Sequence, residues 1–185
     1  MNNFVVLLRG VMPYGKNKVP MAELRELLES SGYENVQTYI HTGNILLSTN
    51  QTKNKVEVAI NSLIKENFGG DLVVVAIKFA AFKKIFKNYP FEEIDVKGRY
   101  ITILKEMPSD ELRHAFLKLV EEENAYLKDR YLMDSDIFYL GLDAKYSDTK
   151  FNNNFIERKL KVGTTTRNYN TMRKLVALID SSQMT

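Results

Sequence analysis

The sequence contains no cysteine and only two histidines, His41 and His114. Without cysteine the chain has no disulfide, no thiolate metal site and no cysteine nucleophile, so its fold must be stable without cross-links, as cytosolic proteins are. The two histidines lie too far apart in sequence to suggest a metal site. No cofactor motif is present, and we therefore expect neither a metal nor a cofactor.

Long apolar runs are also absent. The longest uninterrupted run, residues 72–77, is far shorter than the roughly 20 residues that span a bilayer. No basic region precedes the first apolar run, so a secretory signal is not indicated. We expect a cytoplasmic protein with no membrane partner.

The composition is that of an ordinary globular protein. The 185 residues are 44% hydrophobic and 26% charged, which excludes disordered and fibrous classes. This length is sufficient for one large domain or two small ones.

Positive charge is concentrated at the two ends of the sequence. The net charge of +3 is too small to indicate nucleic-acid binding by itself. Residues 150–174, however, hold seven basic residues against Glu157 alone, a net charge of +6. Residues 1–22 hold Arg9, Lys16 and Lys18 and no acidic residue. An anionic ligand is therefore expected near the chain ends rather than the middle.

Hydrophobic periodicity predicts that the first half alternates strands and helices. Residues 4–8 are an uninterrupted apolar run, which is typical of a strand buried on both faces. Pro20 suits the first turn of a helix, Gly69-Gly70 suits the end of a second helix, and Gly43 can supply the positive φ of a tight turn. The order βαββαβ is that of a ferredoxin-like unit, with four antiparallel strands and both helices on one face. The predicted strands are 4–8, 36–40, 45–48 and 72–79.

The second half repeats part of this order. Helices are predicted over 79–89, from Pro108 onward and in two segments near the C-terminus, and no Pro-rich or Gly-rich linker occurs near residue 80. The sequence therefore predicts an α+β protein with two ferredoxin-like subdomains packed together. The predicted strands are 100–104, 131–133 and 137–142. The predicted domains are an N-terminal ferredoxin-like subdomain over 1–79 and a C-terminal α/β subdomain with extra terminal helices over 80–185.

Residues 10–16 have the glycine and lysine spacing of a phosphate-binding loop, G-x-x-x-x-G-K. Asn17 stands where a Ser or Thr hydroxyl should bind magnesium, and Pro20 places the helix start too late for its N-terminus to hold phosphates. A βαββαβ order also differs from the parallel sheets that carry such loops. We interpret the segment as a basic surface loop, with contact to an anion as its candidate function.

The segment Thr164-Thr165-Thr166-Arg167-Asn168 is predicted to precede the last helix immediately. A helix N-terminus exposes N–H groups and partial positive charge, so these side chains suit phosphate or carboxylate. The alternative interpretation is ordinary helix capping by Asn168 or Thr166. Residues 152–154, three asparagines, are interpreted mainly as a second cap.

Short segments near both ends form a specific combination. In one-letter code they are LLRG at 7–10, GKNKVPMAEL at 15–24, YIHTGN at 39–44, FIERKL at 155–160 and TTRNYNT at 165–171. Together they resemble a bacterial family that is known only as a conserved domain of unknown function. The family's usual loop reads like GINVGGK where this chain has GVMPYGK, and Tyr169 stands where the family commonly has Trp.

The resemblance implies two ferredoxin-like α/β parts and no established function. It covers nearly the whole chain. The candidate residues that match the family's segments are Arg9, Lys16, Asn44, Arg167, Asn168 and Asn170.

Three functions remain open from the sequence. The first is binding of a small phosphorylated or other anionic ligand between the N-terminal loop and the start of the last helix. The second is an RNA- or DNA-binding module that uses residues 150–174, where basic residues alternate with aromatic ones. The third is an enzyme acting on a phosphorylated substrate, although no general base can be named. The predicted ligand-binding residues are Arg9, Lys16, Lys18, Asn44, Thr165, Thr166, Arg167, Asn168, Asn170 and Arg173.

Overall fold

The computed structural model describes residues 1–126, 128–143 and 145–182. The chain divides into two compact units, one formed by residues 1–84 together with the C-terminal residues from 177 and the other by residues 85–176. No described helix has the length and apolar character needed to cross a membrane.

The first unit has the predicted βαββαβ order. Its single sheet has the strand order β2-β3-β1-β4, and every neighbouring pair is antiparallel. This is the strand order expected when two βαβ halves interleave in a ferredoxin-like unit. The elements are β1 (Asn2–Arg9), α1 (Met21–Ser30), β2 (Glu34–Tyr39), β3 (Asn44–Thr49), α2 (Lys53–Phe68) and β4 (Val73–Lys78), and α3 (Phe79–Lys87) follows β4 directly.

Both helices of the first unit pack on one face of its sheet, as predicted. Alternate residues of β1, namely Phe4, Val6 and Leu8, lie in one core cluster with the apolar faces of α1 and α2. Residues spaced by two in a strand share a face, whereas residues spaced by three or four share a face in a helix, so the two patterns meet in this core. Leu24 of α1 and Ile60 of α2 are completely buried there.

The second unit is a complete second βαββαβ unit. Its sheet has the order β6-β7-β5-β8, again with antiparallel neighbours. A separate cluster that includes Phe116, Phe138 and Phe151 forms its core. The elements are β5 (Arg99–Leu104), α4 (Asp110–Tyr126), β6 (Arg130–Asp134), β7 (Ile137–Gly141), α5 (Asn153–Leu160) and β8 (Thr164–Asn168), and α6 (Tyr169–Ser182) follows β8 directly.

Strand β8 is the principal difference from the sequence-based prediction. Residues 164–168 were expected to form the approach to a helix, but they pair with β5 along their whole length, with Thr166 opposite Thr102. The segment has no apolar alternation, which is the signal that predicts a strand. The hydroxyl groups of Thr164 and Thr166 bond instead to Asn153 of α5, and that of Thr165 accepts from Arg167 of the same strand.

In each unit a glutamate side chain of a helix accepts a hydrogen bond from the backbone of an edge strand. The Glu57 carboxylate of α2 accepts a hydrogen bond from the Ala76 N–H of β4 at 2.9 Å. The Glu157 carboxylate of α5 accepts one from the Thr164 N–H of β8 at 2.8 Å. Since β4 and β8 each lie at a sheet edge, these bonds satisfy backbone donors that no neighbouring strand reaches.

Candidate anion-binding segments

The loop of residues 10–18, here called loop 10–18, is closed by its own backbone. The Met12 N–H donates to the Asn17 carbonyl at 2.9 Å, and the Lys18 N–H donates to the Gly15 carbonyl at 3.1 Å. Gly10 and Gly15 have φ values of 93° and 80°, a region that favours glycine. The positive φ values and internal bonds define a compact turn, and its residues 12–16 are all exposed.

Loop 10–18 presents two lysines and an aromatic ring to solvent. Lys16 and Lys18 are exposed, and Tyr14 is 76% exposed. Neither lysine ammonium group forms an ion pair or hydrogen bond within the described part of the chain. The loop also rests on Gly70, where an added Cβ would lie 3.3 Å from the Lys16 carbonyl oxygen. Two cations are therefore held in a fixed turn with their charges available.

The field of Lys16 reaches one neighbouring carboxylate. The pKa of the exposed Asp71 is lowered first by its hydrogen bond with Asn61, then by Lys65, and to a smaller degree by the charge of Lys16. Lys65 forms the ion pair with Asp71, at 3.4 Å. Asp71 is therefore paired with Lys65, and Lys16 affects the Asp71 carboxylate only through its charge, without forming an ion pair.

The N-terminus of α1 does not join this loop as it would in a phosphate-binding loop. Helix α1 begins only at Met21, and its N-cap residue, Pro20, makes no side-chain capping bond. The sheet is antiparallel. Any anion contact at loop 10–18 would therefore be made by lysine side chains rather than by a helix N-terminus.

Asn44 and Arg9 are placed differently from the two lysines. Asn44 is completely buried, and its Nδ2 donates to the Tyr39 carbonyl at 3.0 Å and to Thr42 Oγ1 at 3.1 Å. This side chain closes the turn between β2 and β3, where Gly43 has the predicted positive φ, 77°. Arg9 is half-buried at the end of β1. Asn44 therefore has a role in the fold, and the predicted ligand contacts of Asn44 and Arg9 stay predictions.

Arg167 lies within the sheet of the second unit. Its side chain is only 9% exposed, and its Nη1 donates to Thr165 Oγ1 and to the Thr166 carbonyl oxygen, both at 2.9 Å. Burial lowers the pKa of the Arg167 guanidinium to about 10. The guanidinium is therefore buried and bonds within its own strand, whereas the sequence predicts that it lies beside exposed helix N–H groups.

Thr166 belongs to a network of hydroxyl and amide groups. Its Oγ1 lies 2.6 Å from Thr102 Oγ1, donates to Asn153 Oδ1 at 2.7 Å and accepts from the Tyr146 hydroxyl at 3.1 Å. Thr164 Oγ1 also donates to Asn153 Oδ1, at 2.9 Å. Sequence reasoning missed Thr102 and Tyr146 and interpreted Asn153 only as part of a helix cap, because no local signal relates these residues to β8.

Asn168 caps α6, which confirms the capping interpretation. Its Oδ1 accepts a hydrogen bond from the Thr171 N–H at 2.8 Å. Beyond the cap, Arg173 Nη2 donates to Asn170 Oδ1 at 3.0 Å, and both residues are exposed. The first turns of α6 therefore present one oriented guanidinium to solvent. Asn152 likewise caps α5, by accepting from the Phe155 N–H at 3.1 Å.

Three cations surround the ring of Phe155 on α5. The Lys150 and Lys159 nitrogens each lie 5.8 Å from the ring centroid, and the Arg158 guanidinium carbon lies 5.4 Å away. Lys150 also forms an ion pair with Glu123. Within the described residues, Arg158 and Lys159 form no ion pair with a carboxylate. This group, here called the Phe155 cluster, was not identified from the sequence as a set of contacts.

The second unit contains a cavity of about 680 Å³, and the charges of its lining do not suit an anion. Its lining carries more carboxylates than ammonium groups, so it would repel a phosphate. The charged lining residues are Glu93, Asp95, Lys97, Asp143, Lys145 and Asp148. Among the described residues, no group of three or more His, Asp or Glu side chains is arranged to hold a metal ion.

The predicted site residues are divided between the two units, and they differ in their exposure to solvent. Four lie in the first unit and six in the second. The predicted residues that are exposed are Lys16, Lys18, Asn168, Asn170 and Arg173. Those that are buried are Asn44, Thr165 and Arg167, while Arg9 and Thr166 are intermediate.

These observations define an α+β protein of two ferredoxin-like units, in which the exposed candidate cations lie on loop 10–18 and at the start of α6. The chain belongs to the family described as "Protein of unknown function (DUF1697)", whose sequence profile matches residues 1–132. The fold is similar to that of the conserved bacterial protein SP0830 from Streptococcus pneumoniae, with a TM-score of 0.73 and 22% sequence identity. That similarity covers 95% of this chain and 97% of the other. No curated protein matches the sequence.

Proposed function

We propose that this protein binds a phosphorylated or otherwise anionic ligand, and that Lys16 and Lys18 are the cations that contact it. The observation that carries the proposal is the state of loop 10–18: two exposed ammonium groups on a turn fixed by backbone hydrogen bonds, neither in an ion pair within the described chain. A fixed turn lowers the entropic cost of holding both charges on one ligand.

Within the second unit, Arg173 offers a separate anion contact at the start of α6. Its guanidinium is oriented by the Asn170 side chain at 3.0 Å, and a planar guanidinium can form two parallel hydrogen bonds with a phosphate or carboxylate. Placement near a helix N-terminus adds favourable partial charge for an anion. The ligand's charged group is therefore expected to be a phosphate or a carboxylate rather than a halide.

Thermal unfolding in the presence of inorganic phosphate or pyrophosphate tests the proposal. At a concentration about 100 times Kd, such a ligand should raise Tm by roughly 5–10 °C, because it binds only the folded state. The double variant Lys16→Ala and Lys18→Ala should lose about half of this rise or more, because it removes two charges that contact the anion. Arg173→Ala tests the separate contact on α6 by itself and should lose a smaller part of the rise.

Two exposed residues provide matched controls. Lys55→Ala removes an exposed lysine from α2, and Lys174→Ala removes the neighbour of Arg173. Both should retain the full rise in Tm. The proposal is wrong if neither anion changes Tm in a concentration-dependent manner, or if Lys55→Ala lowers the rise as much as the loop variants do.

A second candidate function is the binding of single-stranded nucleic acid by the Phe155 cluster. The observation that favours it is the half-buried Phe155 ring with three cations around it, since bases stack on aromatic rings while phosphates pair with nearby cations. Binding of this kind neutralises several phosphates and is therefore steeply salt-dependent, unlike the binding of one small anion.

Fluorescence anisotropy with a labelled deoxythymidine oligomer tests this second function. If three phosphates are neutralised, the affinity should fall roughly 20-fold between 50 and 200 mM salt. Arg158→Ala and Lys159→Ala should each reduce the slope of log affinity against log salt by about one, whereas Lys118→Ala on α4 should not. If Arg158→Ala and Lys159→Ala keep the wild-type slope, as Lys118→Ala should, the Phe155 cluster is not the contact surface.

A further inference from the structure

The first unit contains a pocket that none of the predicted anion-binding residues lines. It has a volume of about 550 Å³, which is within the usual range of small-molecule sites. Leu46 and Phe79 contribute its apolar surface. Its polar lining residues are Asn3, Asn35, Gln37, Ser48, Ser181 and Ser182.

The chemistry of this lining is unusual for the surface of this chain. None of the lining residues is charged, although 26% of the sequence is. Every polar lining side chain is an amide or a hydroxyl, and both groups can donate and accept hydrogen bonds. Among the described lining residues, an anion would find no cation and a cation would find no carboxylate. The lining therefore favours a neutral ligand that both donates and accepts.

Part of this lining is already oriented. Asn35 Nδ2 donates to Ser48 Oγ at 3.2 Å, and Ser48 Oγ donates to Asn3 Oδ1 at 2.8 Å. This directed chain has a donor, Asn3 Nδ2, at one end and an acceptor, Asn35 Oδ1, at the other. A ligand hydroxyl, which also donates and accepts, is complementary to either end.

A β-bulge places Asn35 at the pocket. The pairing of β2 with β3 shifts register between Glu34 and Gln37, and Asn35 has a φ of 52°. Bulges turn a side chain out of the regular alternation and are enriched at functional sites. Asparagine is among the few non-glycine residues that adopt this backbone region readily.

We propose that this pocket binds a neutral, polyhydroxylated small molecule of the monosaccharide class. The hydroxyl groups of the sugar contact the amides and hydroxyls of the lining, and its less polar face lies against Phe79 and Leu46. The site is separate from loop 10–18 in its residues and opposite in its chemistry, because it selects against charge. It therefore goes beyond the anion-binding function.

The test is an NMR titration of the ¹⁵N-labelled protein with glucose, galactose, mannose, ribose and N-acetylglucosamine. Side-chain amide groups give their own signals, so Asn3, Asn35 and Gln37 report directly on the pocket. At least one neutral sugar should shift these signals saturably. Glucose 6-phosphate and gluconate should shift them much less, since the lining offers no cation.

Gln37→Leu removes one amide from an exposed position of an edge strand and should weaken sugar binding roughly five- to tenfold. Gln51→Leu, an equal change outside the lining, should leave the affinity unchanged. The inference is overturned if no neutral sugar shifts the three amide signals, if the charged sugars shift them equally, or if Gln37→Leu binds as tightly as the wild type.

Discussion

Alanine at position 98 is expected to destabilise the second unit by about 4 kcal/mol or more. A Cβ at this position would overlap the carbonyl oxygen of Leu142 and would also lie 3.1 Å from Cγ2 of Ile94. The overlapping atom belongs to the backbone, so no side-chain rotation relieves it. Moving the strands apart would also break the hydrogen bond from the Leu142 N–H to the Gly98 carbonyl, which measures 2.9 Å.

Urea unfolding followed by far-UV circular dichroism measures this effect. Gly70→Ala is the control, because the added Cβ would meet its nearest neighbour, the Lys16 carbonyl oxygen, at 3.3 Å, and its expected cost is within about 1 kcal/mol. A Gly98→Ala protein that unfolds at the wild-type urea concentration would show that Gly98 and Leu142 do not approach each other as described.

Arg167→Ala is expected to lower the free energy of unfolding by about 2–4 kcal/mol. The substitution leaves a space in the sheet and removes the donor that satisfies Thr165 Oγ1, whose residue is completely buried. Arg167→Met fills much of the same volume without a charge. This variant should therefore recover the part of the loss that comes from the empty space, while Thr165 Oγ1 still lacks its donor.

The Arg167→Met variant separates a structural role of Arg167 from a contact with the ligand. Thermal unfolding of Arg167→Met with and without phosphate should show the wild-type rise in Tm, since the guanidinium is only 9% exposed. If the rise disappears in a variant that is otherwise stable, Arg167 contacts the anion, as the sequence suggested, and the structural role assigned to it is wrong.

Local sequence signals predicted the first unit well because each depends on neighbouring residues. The run of residues 4–8 is strand β1, and Gly43 has the positive φ that a tight turn requires. Asn152 and Asn168 cap α5 and α6, since capping needs only a side-chain oxygen near the next few N–H groups.

Strand β8 could not be predicted in this way. Three consecutive threonines have neither an apolar face nor an apolar alternation, and Asn168 after them is a genuine helix cap. What stabilises these residues as a strand is their pairing with β5 and the partners of Thr166, namely Thr102 and Asn153. Strand β5 with Thr102, and Asn153 of α5, are contributed by other parts of the chain. No local sequence pattern within residues 164–168 indicates these partners.

The sequence by itself determined the order of strands and helices, the antiparallel ferredoxin-like class and the absence of cross-links, because periodicity, turn residues and composition are local properties. Only the tertiary structure decided which basic residues are accessible. Lys16 and Arg167 both lie in short polar segments that suit an anion, yet one is exposed on a closed turn and the other is buried in a sheet. Burial depends on which elements fold over a residue, and those elements are contributed by distant parts of the chain.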